Sequence, residues 1–166
     1  DDAGDVLDLC CGSGVQGLAR RARTGATFVD VNDRALAFAA LNGVLNGGAP
    51  RDAVVRADVR SQIPGLGTFD VVLVNPPFVV GGTALFADGG DDGNAVLGPL
   101  LAHGAALLRR GAVMMVASEF ANIERWIELI PDVFDSLLFF DPAHLETSAD
   151  YARGRCPTAL EAAALE

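Results

Sequence analysis

Short runs of apolar residues alternate along this chain with longer segments in which apolar residues recur every three or four positions. The short runs are typical of buried strands, and the longer segments are typical of helices. Strands are predicted at Asp5–Cys10, Ala26–Val31, Asp52–Val59, Phe69–Asn75, Gly111–Ser118 and Val133–Phe140. Helices are predicted at Val15–Arg23, Asn32–Gly47, Ala95–Arg110 and Glu119–Ile130.

Polar residues and proline refine this pattern at two of the helices. Asn32 or Asp33 is well placed to cap the second helix, because either side chain accepts a hydrogen bond from a free backbone N–H group. Pro99 either kinks the third helix or occupies its first turn. The Gly-rich acidic loop Gly81–Gly93 is long for a connector, and we expect it to close over a substrate. Its acidic residues do not match a calcium-binding loop.

Strands that alternate with helices predict a parallel sheet with helices on both faces, a Rossmann-like, doubly wound α/β fold. Such sheets bind ligands at the carboxyl ends of their strands. The chain opens almost directly on its first strand. We therefore expect residues 1–166 to be one core domain, either separated from an N-terminal substrate-recognition region or belonging to an unusually small enzyme.

The composition is that of a compact globular domain, with 51% hydrophobic and 20% charged residues in a chain of 166. The formal net charge is −10, and all 12 basic residues are arginine. This acidic balance disfavours a nucleic acid as the partner, because the phosphate backbone repels a negative surface. No apolar run is long enough to span a bilayer and no secretory leader opens the chain. We expect a cytoplasmic protein with no membrane partner.

The cysteines and histidines do not predict a metal site. Cys10, Cys11 and Cys156 are odd in number and lack paired spacing, which argues against both a disulfide framework and a zinc site. We interpret them as small buried hydrophobic residues. His103 and His144 are isolated from each other and from any pair of cysteines.

The segment LDLCCGSGVQG, residues Leu7–Gly17, joins the first predicted strand to the first helix and contains G-x-G-x-x-G. Glycines in such a turn let a ligand approach the backbone closely, but the spacing alone is a weak signal for any one cofactor. Asp8 favours S-adenosylmethionine over a dinucleotide, because a carboxylate repels a pyrophosphate and attracts an ammonium or sulfonium group. The alternative interpretation of Asp8 is a solvent-facing strand residue.

The segment VNPPF after the fourth predicted strand favours a planar substrate. Asn75 and the backbone of Pro76 and Pro77 offer carbonyl acceptors at the carboxyl end of that strand. Phe78 adds a flat apolar face. Two acceptors and an aromatic ring suit a planar group that bears an NH2, whereas the alternative interpretation is a simple loop that ends the strand.

The segments VLDLCCGSG, FVDVN, RADV and VNPPF, in this order and spacing, resemble the class I S-adenosylmethionine-dependent methyltransferases over roughly Asp5–Ser118. The Asn-Pro-Pro-aromatic segment is similar to the small-methyltransferase type, which methylates planar nitrogens. That type includes release-factor glutamine N5-methyltransferases, adenine N6-methyltransferases and ribosomal-RNA guanine N2-methyltransferases. The resemblance implies S-adenosylmethionine as the cofactor and an amide or exocyclic amine as the methyl acceptor.

The resemblance also implies roles for the matching residues. The cofactor-binding residues that it implies are Asp8, Cys10, Gly12, Gly14, Asp30, Val31, Asp58, Val59 and Asn75. Among these, Asp8 and the two glycines would line the methionine end, Asp30 would hold the ribose hydroxyls, and Asp58 with the backbone of Val59 would meet the adenine amino group. The implied catalytic residues are Asn75 and Pro76, which would hold the acceptor nitrogen, and Phe78, which would stack on the substrate. Cys10 departs from the family, which usually has its first glycine there.

Several functions remain open at this point. A protein glutamine or a small-molecule amine is the favoured acceptor because of the acidic charge, and a base of ribosomal RNA or DNA is the alternative. A second class is an NAD(P)-dependent oxidoreductase that uses the same glycine turn. The chain has no lysine, and its single tyrosine is Tyr151, so the usual catalytic side chains of such enzymes are missing. A third class is a cofactor-binding module without catalysis.

Overall fold

In the computed structural model of this protein, the described residues are 4–21, 25–80, 84, 87–116 and 128–130. They contain a five-stranded sheet in the order β3-β2-β1-β4-β5, and every pair of neighbouring strands is parallel. The strands are β1 Val6–Leu9, β2 Ala26–Asp30, β3 Ala53–Arg56, β4 Phe69–Val74 and β5 Leu108–Val116. The helices within these residues are α1 Val15–Arg20, α2 Asp33–Leu45 and α3 Leu97–Gly104, and a 3-10 turn, Ala105–Leu107, follows α3. The predicted Rossmann-like fold is confirmed.

The sheet separates two apolar clusters, because successive side chains of a strand point to opposite faces. On one face, Val6 and Phe28 pack with Leu36 and Ala39 of α2. On the other face, residues such as Leu7, Leu9 and Val72 pack with Leu100 of α3. The helices therefore cover both faces, as predicted. The four residues of β1 are all buried, which explains why this central strand reads as a continuous apolar run broken only by Asp8.

Several predicted element ends agree with the structure. Asn32 caps α2, since its side chain accepts a hydrogen bond from the backbone N–H of Arg34. Pro99 lies in the first turn of α3, where its missing N–H costs no helical hydrogen bond. β3 ends at Arg56, so Asp58 and Val59 lie beyond the strand rather than within it.

The prediction that the third helix extends to Arg110 is wrong. Leu108 already pairs with Phe69 of β4, and the register of the two strands then shifts so that Val71 pairs with Val113. Gly111 lies in this irregularity with a φ of 80°. Arg109 binds the carboxylates of Asp5 and Asp70, which lie near the amino ends of β1 and β4. These tertiary contacts outweigh the helical periodicity of the segment.

The predicted strand Val133–Phe140 lies outside the described residues, as does most of the predicted helix Glu119–Ile130. Within the part of the chain that the structure describes, no helix has both the length and the apolar character needed to cross a membrane.

Asp52, just before β3, connects the amino end of β2 to the turn that precedes β3 and to Arg21 after α1. Its Oδ1 accepts a hydrogen bond from the backbone N–H of Ala26, the first residue of β2, at 3.0 Å. Its Oδ2 accepts from the backbone N–H of Ala49, also at 3.0 Å, and from the guanidinium of Arg21. The Arg21 and Asp52 side chains are only 10% and 18% exposed, so this ion pair is shielded from water.

We expect Asp52→Ala to lower the free energy of unfolding by about 2 kcal/mol, because it leaves two backbone donors and a mostly buried guanidinium without their acceptor. Urea unfolding measures the change. The matched control is Arg56→Ala, which removes an ion pair with Asp33 whose side chains are both largely exposed. That control should change the unfolding free energy by less than about 0.5 kcal/mol. Equal effects of the two variants would contradict the role given to Asp52.

Candidate functional site

A cavity of about 360 Å³ lies at the carboxyl ends of the strands. The central strand β1 has β2 and β3 on one side of it and β4 and β5 on the other. The turn after β1 contributes Cys10, Gly12 and Ser13 to the lining of the cavity. The segments after β2, β3 and β4 contribute further polar and apolar side chains, among them Asp30, Asp58 and Asn75. Parallel strands bring these segments together because all of their carboxyl ends lie at one edge of the sheet.

Asp30 holds the glycine turn against the turn that follows β2. Its Oδ2 accepts a hydrogen bond from the backbone N–H of Gly12 at 3.0 Å, and its Oδ1 accepts from the N–H of Asn32 at 2.9 Å. The backbone N–H of Cys11 donates to the carbonyl of Val29 at 3.0 Å and continues the same connection. The turns that contain Gly12 and Asn32 form the floor of the cavity. Asp30 holds them together, and its carboxylate also lines the cavity.

Asp8 lies beneath the cavity rather than in its lining. The side chain is buried at 1% exposure, and its Oδ2 accepts the backbone N–H of Gly17 in α1 at 2.8 Å. A Cβ atom at Gly17 would come within 2.6 Å of Phe28 and 2.9 Å of Asp8 Oδ2, so glycine is what allows α1 to pack this close to the sheet. Burial raises the pKa of Asp8 to about 7, against the opposing effect of the Gly17 hydrogen bond.

Cys10 lines the cavity in a backbone conformation that usually belongs to glycine. Its φ is 55°, and among the described residues it is the only one other than glycine whose φ is positive. Burial, with the charges of Asp30, Asp8 and Asp58, raises the pKa of the Cys10 thiol to about 12. Burial, with the charges of Asp8 and Asp30 and the neighbouring Cys10 thiol, also raises the pKa of Cys11, which is buried as predicted. The effect of three carboxylates on this thiol indicates a negative potential in the cavity.

The segment after β4 enters the cavity through Asn75 and Pro77. Asn75 is exposed, whereas Pro76 is buried and Phe78 is half-buried outside the lining. The chain returns to pair with this segment, since the N–H of Val79 donates to the carbonyl of Ala87 and the N–H of Gly89 donates to the carbonyl of Val79.

Gly89 is the point where the returning loop packs against Phe78. A Cβ atom at Gly89 would come within 2.6 Å of the Phe78 carbonyl carbon, so a side chain there would displace backbone rather than a flexible group. Asp88, immediately before it, lines the cavity. This part of the loop is therefore folded against the segment after β4, and its closing over a substrate stays a prediction.

The structure brings most of the predicted site residues to one cavity. Those that line it are Cys10, Gly12, Asp30, Val31, Asp58, Val59 and Asn75. Four predicted residues do not line it. Asp8 lies beneath the turn, and Gly14 packs under the start of α1 near Phe28 and Ala39. Pro76 and Phe78 are neighbours of the lining residues Asn75 and Pro77 in the chain but do not line the cavity themselves.

The lining residues that were not among the predicted ones include Pro77, Arg60 and Asp88. Pro77 and Arg60 lie within two residues of predicted positions, so proximity to the motifs was an available signal. No sequence signal distinguished Asp88 from the other acidic residues of its loop, because its place in the cavity depends on the pairing of that loop with Val79.

The fold and the acid-lined cavity define a Rossmann-like domain that binds a ligand at the carboxyl edge of its sheet. Residues 1–137 match the model of the methyltransferase small domain family, and the chain belongs to that family. It is thus a class I S-adenosylmethionine-dependent methyltransferase domain, which confirms the predicted family and cofactor and decides against the oxidoreductase alternative.

Relatives of known name include two kinds of methyltransferase. The chain is 31% identical over 140 residues to a release factor glutamine methyltransferase of Mycolicibacterium smegmatis. This match covers 74% of this chain and 48% of that protein. It is 40% identical over 83 residues to ribosomal RNA small subunit methyltransferase C of Actinobacillus succinogenes. This second match covers 49% of this chain and 24% of that protein. The chain thus spans about half or less of the length of these relatives.

Among solved structures, TrmN from Thermus thermophilus is similar in fold, with a TM-score of 0.60 and 21% identity. The similarity covers 78% of this chain and 37% of TrmN. It supports the same arrangement of strands and helices.

The raised pKa of Asp8 generates a prediction about stability and pH. Because the folded-state pKa of about 7 lies above the ordinary 3.8, the Asp8 contribution to stability is fully present below about pH 4 and is lost as the pH rises through 7. Asp8→Asn keeps a carbonyl acceptor for Gly17 without the charge. Its stability relative to the wild type should therefore rise between pH 4 and pH 8, by roughly 1–4 kcal/mol. Urea unfolding at several pH values measures this, and a constant difference would contradict it.

The conformation of Cys10 generates a second prediction. Cys10→Gly should be more stable than Cys10→Ala by about 1 kcal/mol, because only glycine adopts this left-handed conformation without strain. The control is Ala19→Gly at an exposed position of α1, where glycine should instead cost about 1 kcal/mol. Thermal or urea unfolding compares the variants. If Cys10→Ala were the more stable of the two, the proposed strain at this position would be disproved.

Proposed function

We propose that this chain is the catalytic domain of a cytoplasmic N-methyltransferase that transfers a methyl group from S-adenosylmethionine to a planar nitrogen, with a protein glutamine as the acceptor. The observation that carries the proposal is the cavity that joins the glycine turn and the half-buried carboxylates of Asp30 and Asp58 to Asn75 at the end of β4. The first group of residues suits the cofactor, and Asn75 suits the acceptor.

The charge of the cavity supports the cofactor part of the proposal. Asp30 and Asp58 line the cavity and Asp8 lies beneath it, and all three raise the pKa of the Cys10 thiol by their charge. A pyrophosphate would be repelled by this field, whereas a sulfonium and an ammonium group would be attracted. Asp30 would hold the ribose hydroxyls, since each carboxylate oxygen has a lone pair beyond the one used by Gly12 or Asn32.

Asn75 and the Pro76 carbonyl form the acceptor part of the proposal. The cofactor supplies an activated methyl group on a sulfonium. The side-chain carbonyl of Asn75 and the backbone carbonyl of Pro76 would accept hydrogen bonds from the NH2 group of the substrate and orient its nitrogen. These bonds strengthen as positive charge develops on that nitrogen, which stabilises the transition state more than the ground state. Pro77 supplies apolar surface at the same wall.

A protein glutamine is the preferred acceptor for two reasons. The net charge of −10 disfavours a polyanion. The relative matched over the larger share of this chain carries the name of a release factor glutamine methyltransferase. A ribosomal RNA base is the second candidate, because another relative carries the name of a ribosomal RNA methyltransferase. Transfer of a radiolabelled methyl group to purified bacterial release factors or to ribosomal RNA distinguishes the two.

Asn75→Ala should reduce turnover on the accepted substrate by roughly 100-fold or more, because it removes a hydrogen bond that strengthens in the transition state. The affinity for S-adenosylhomocysteine should change by less than about threefold, since the Asp30 and Asp58 side chains remain. Labelled methyl transfer and calorimetry measure the two quantities.

Asn46→Ala is the control for this variant, because Asn46 caps the end of α2 and does not line the cavity. It should leave both quantities unchanged. If Asn75→Ala retained wild-type turnover, Asn75 would not hold the acceptor nitrogen. Cofactor binding without methyl transfer to any protein, RNA or amine would instead favour a binding module.

A further inference from the structure

Arg60 occupies the cavity wall next to Asp58, although neither the fold nor the proposed chemistry requires an arginine there. Its Nε donates to both carboxylate oxygens of Asp58, at 3.0 and 3.1 Å, and its Nη2 donates to Oδ2 at 2.7 Å. Two N–H groups directed at one carboxylate fix the plane of the guanidinium. The side chains remain open to solvent, with 55% of Arg60 and 40% of Asp58 exposed.

A second carboxylate lies on the opposite side of the cavity. Asp88 lines the cavity from the loop that returns to pair with Val79, whereas Arg60 lines it from the segment after β3. The hydrogen bonds and charge of Asp58 raise the pKa of Arg60, and the charge of Asp88 adds to that effect. A guanidinium has five N–H donors, and Asp58 engages those on Nε and Nη2, so Arg60 has the capacity to bind a second carboxylate.

We propose that Arg60 bridges Asp58 and Asp88 across the cavity and covers the adenine ring of the bound cofactor with its guanidinium. The inference rests on the proposed function and on the family resemblance, which implies that Asp58 meets the adenine amino group. A guanidinium held flat by Asp58 presents its face to an aromatic ring, and arginine binds such rings by cation–π and stacking contacts. The bridge also connects the cofactor to the loop that packs against Phe78, through Gly89.

This arrangement makes Arg60 a positioning residue with two separable contributions. One is contact with the adenine ring, which depends on the planar guanidinium. The other is the link to Asp88, which depends on charge and is therefore weakened by salt.

Calorimetric titration with S-adenosylhomocysteine tests the proposal on Arg60→Gln, Asp88→Asn and the double variant. We expect Arg60→Gln to raise the dissociation constant about tenfold, the order of a desolvated cation–π contact. Asp88→Asn should raise it about threefold in the wild-type background and by less than twofold when Arg60 is already glutamine, because linked residues are not additive. The Asp88→Asn effect should shrink in 0.5 M salt, an ionic strength at which the screening length is only about 4 Å.

Two controls match these variants. Arg56→Gln removes an arginine at the end of β3 that pairs with Asp33 and does not line the cavity. Asp91→Asn removes an exposed carboxylate of the same loop as Asp88, also outside the lining. Both should change the dissociation constant by less than about twofold, since surface substitutions of this kind act weakly. All the variants should keep the wild-type unfolding midpoint within a few degrees, because the substituted side chains are exposed.

A fragment localises the contact to the adenine end of the cofactor. 5′-Methylthioadenosine keeps adenine and ribose but lacks the amino acid group, so Arg60→Gln should weaken its binding by the same factor as it weakens S-adenosylhomocysteine. Arg60→Lys keeps the charge and loses the planar group. It should therefore retain the coupling to Asp88 but lose most of the affinity that the contact with the adenine ring contributes.

The outcomes separate this proposal from the proposed function. If the wild type failed to bind S-adenosylhomocysteine, the proposed function would be overturned and this inference with it. If the wild type bound but Arg60→Gln behaved like Arg56→Gln, only the role of Arg60 would be overturned. Additive effects of Arg60→Gln and Asp88→Asn would overturn the bridge.

Discussion

The Asp30 carboxylate is the contact on which the site depends. It accepts one hydrogen bond from Gly12 and another from Asn32, so it joins the turn after β1 to the turn after β2 at the edge of the sheet. The strands bring these turns together, because Leu9 and Val29 are paired in register and Cys11 donates to the carbonyl of Val29. Without an acceptor at this position, two backbone N–H groups at the cavity floor would lose their partner, a cost of about 1–3 kcal/mol for each that is buried. The carboxylate that holds the floor is also available to a ligand above it.

Negative charge around this floor lowers the stability of the fold and attracts a cationic ligand. Asp8 is buried under α1 on the same face as Val6 and Phe28, and its raised pKa measures what burial of the charge costs. Glycine at position 17 allows the helix N–H to reach this carboxylate, which offsets part of that cost. The same charges act on Cys10, whose strained backbone lies between them. We expect a positively charged cofactor in the cavity to relieve the repulsion among these groups, which would connect the stability of the domain to its occupancy.

Within the described residues, the sequence was sufficient to predict the order and type of the elements, because the central strands are buried on both faces and read as apolar runs. It failed at Leu108–Arg110, where helical periodicity gave way to pairing with Phe69 and to ion pairs of Arg109 with two distant aspartates. The motifs identified seven residues of the cavity lining, since each lies at the end of a strand or shortly after it. They could not separate Asp8, which faces a helix, from Asp30, which faces the cavity. Asp88 was missed because its place in the cavity arises from a loop that returns across the sheet edge to pair with Val79.

Calorimetric titration of the wild-type chain with S-adenosylhomocysteine, with NADH as the matched ligand, tests the central claim most directly. Both ligands carry adenine and ribose, but only NADH carries a pyrophosphate, which the acidic cavity is expected to repel. We expect micromolar binding of S-adenosylhomocysteine and no detectable binding of NADH. Binding of NADH in preference to S-adenosylhomocysteine would contradict the assignment of the cavity and the roles given to the carboxylates around it.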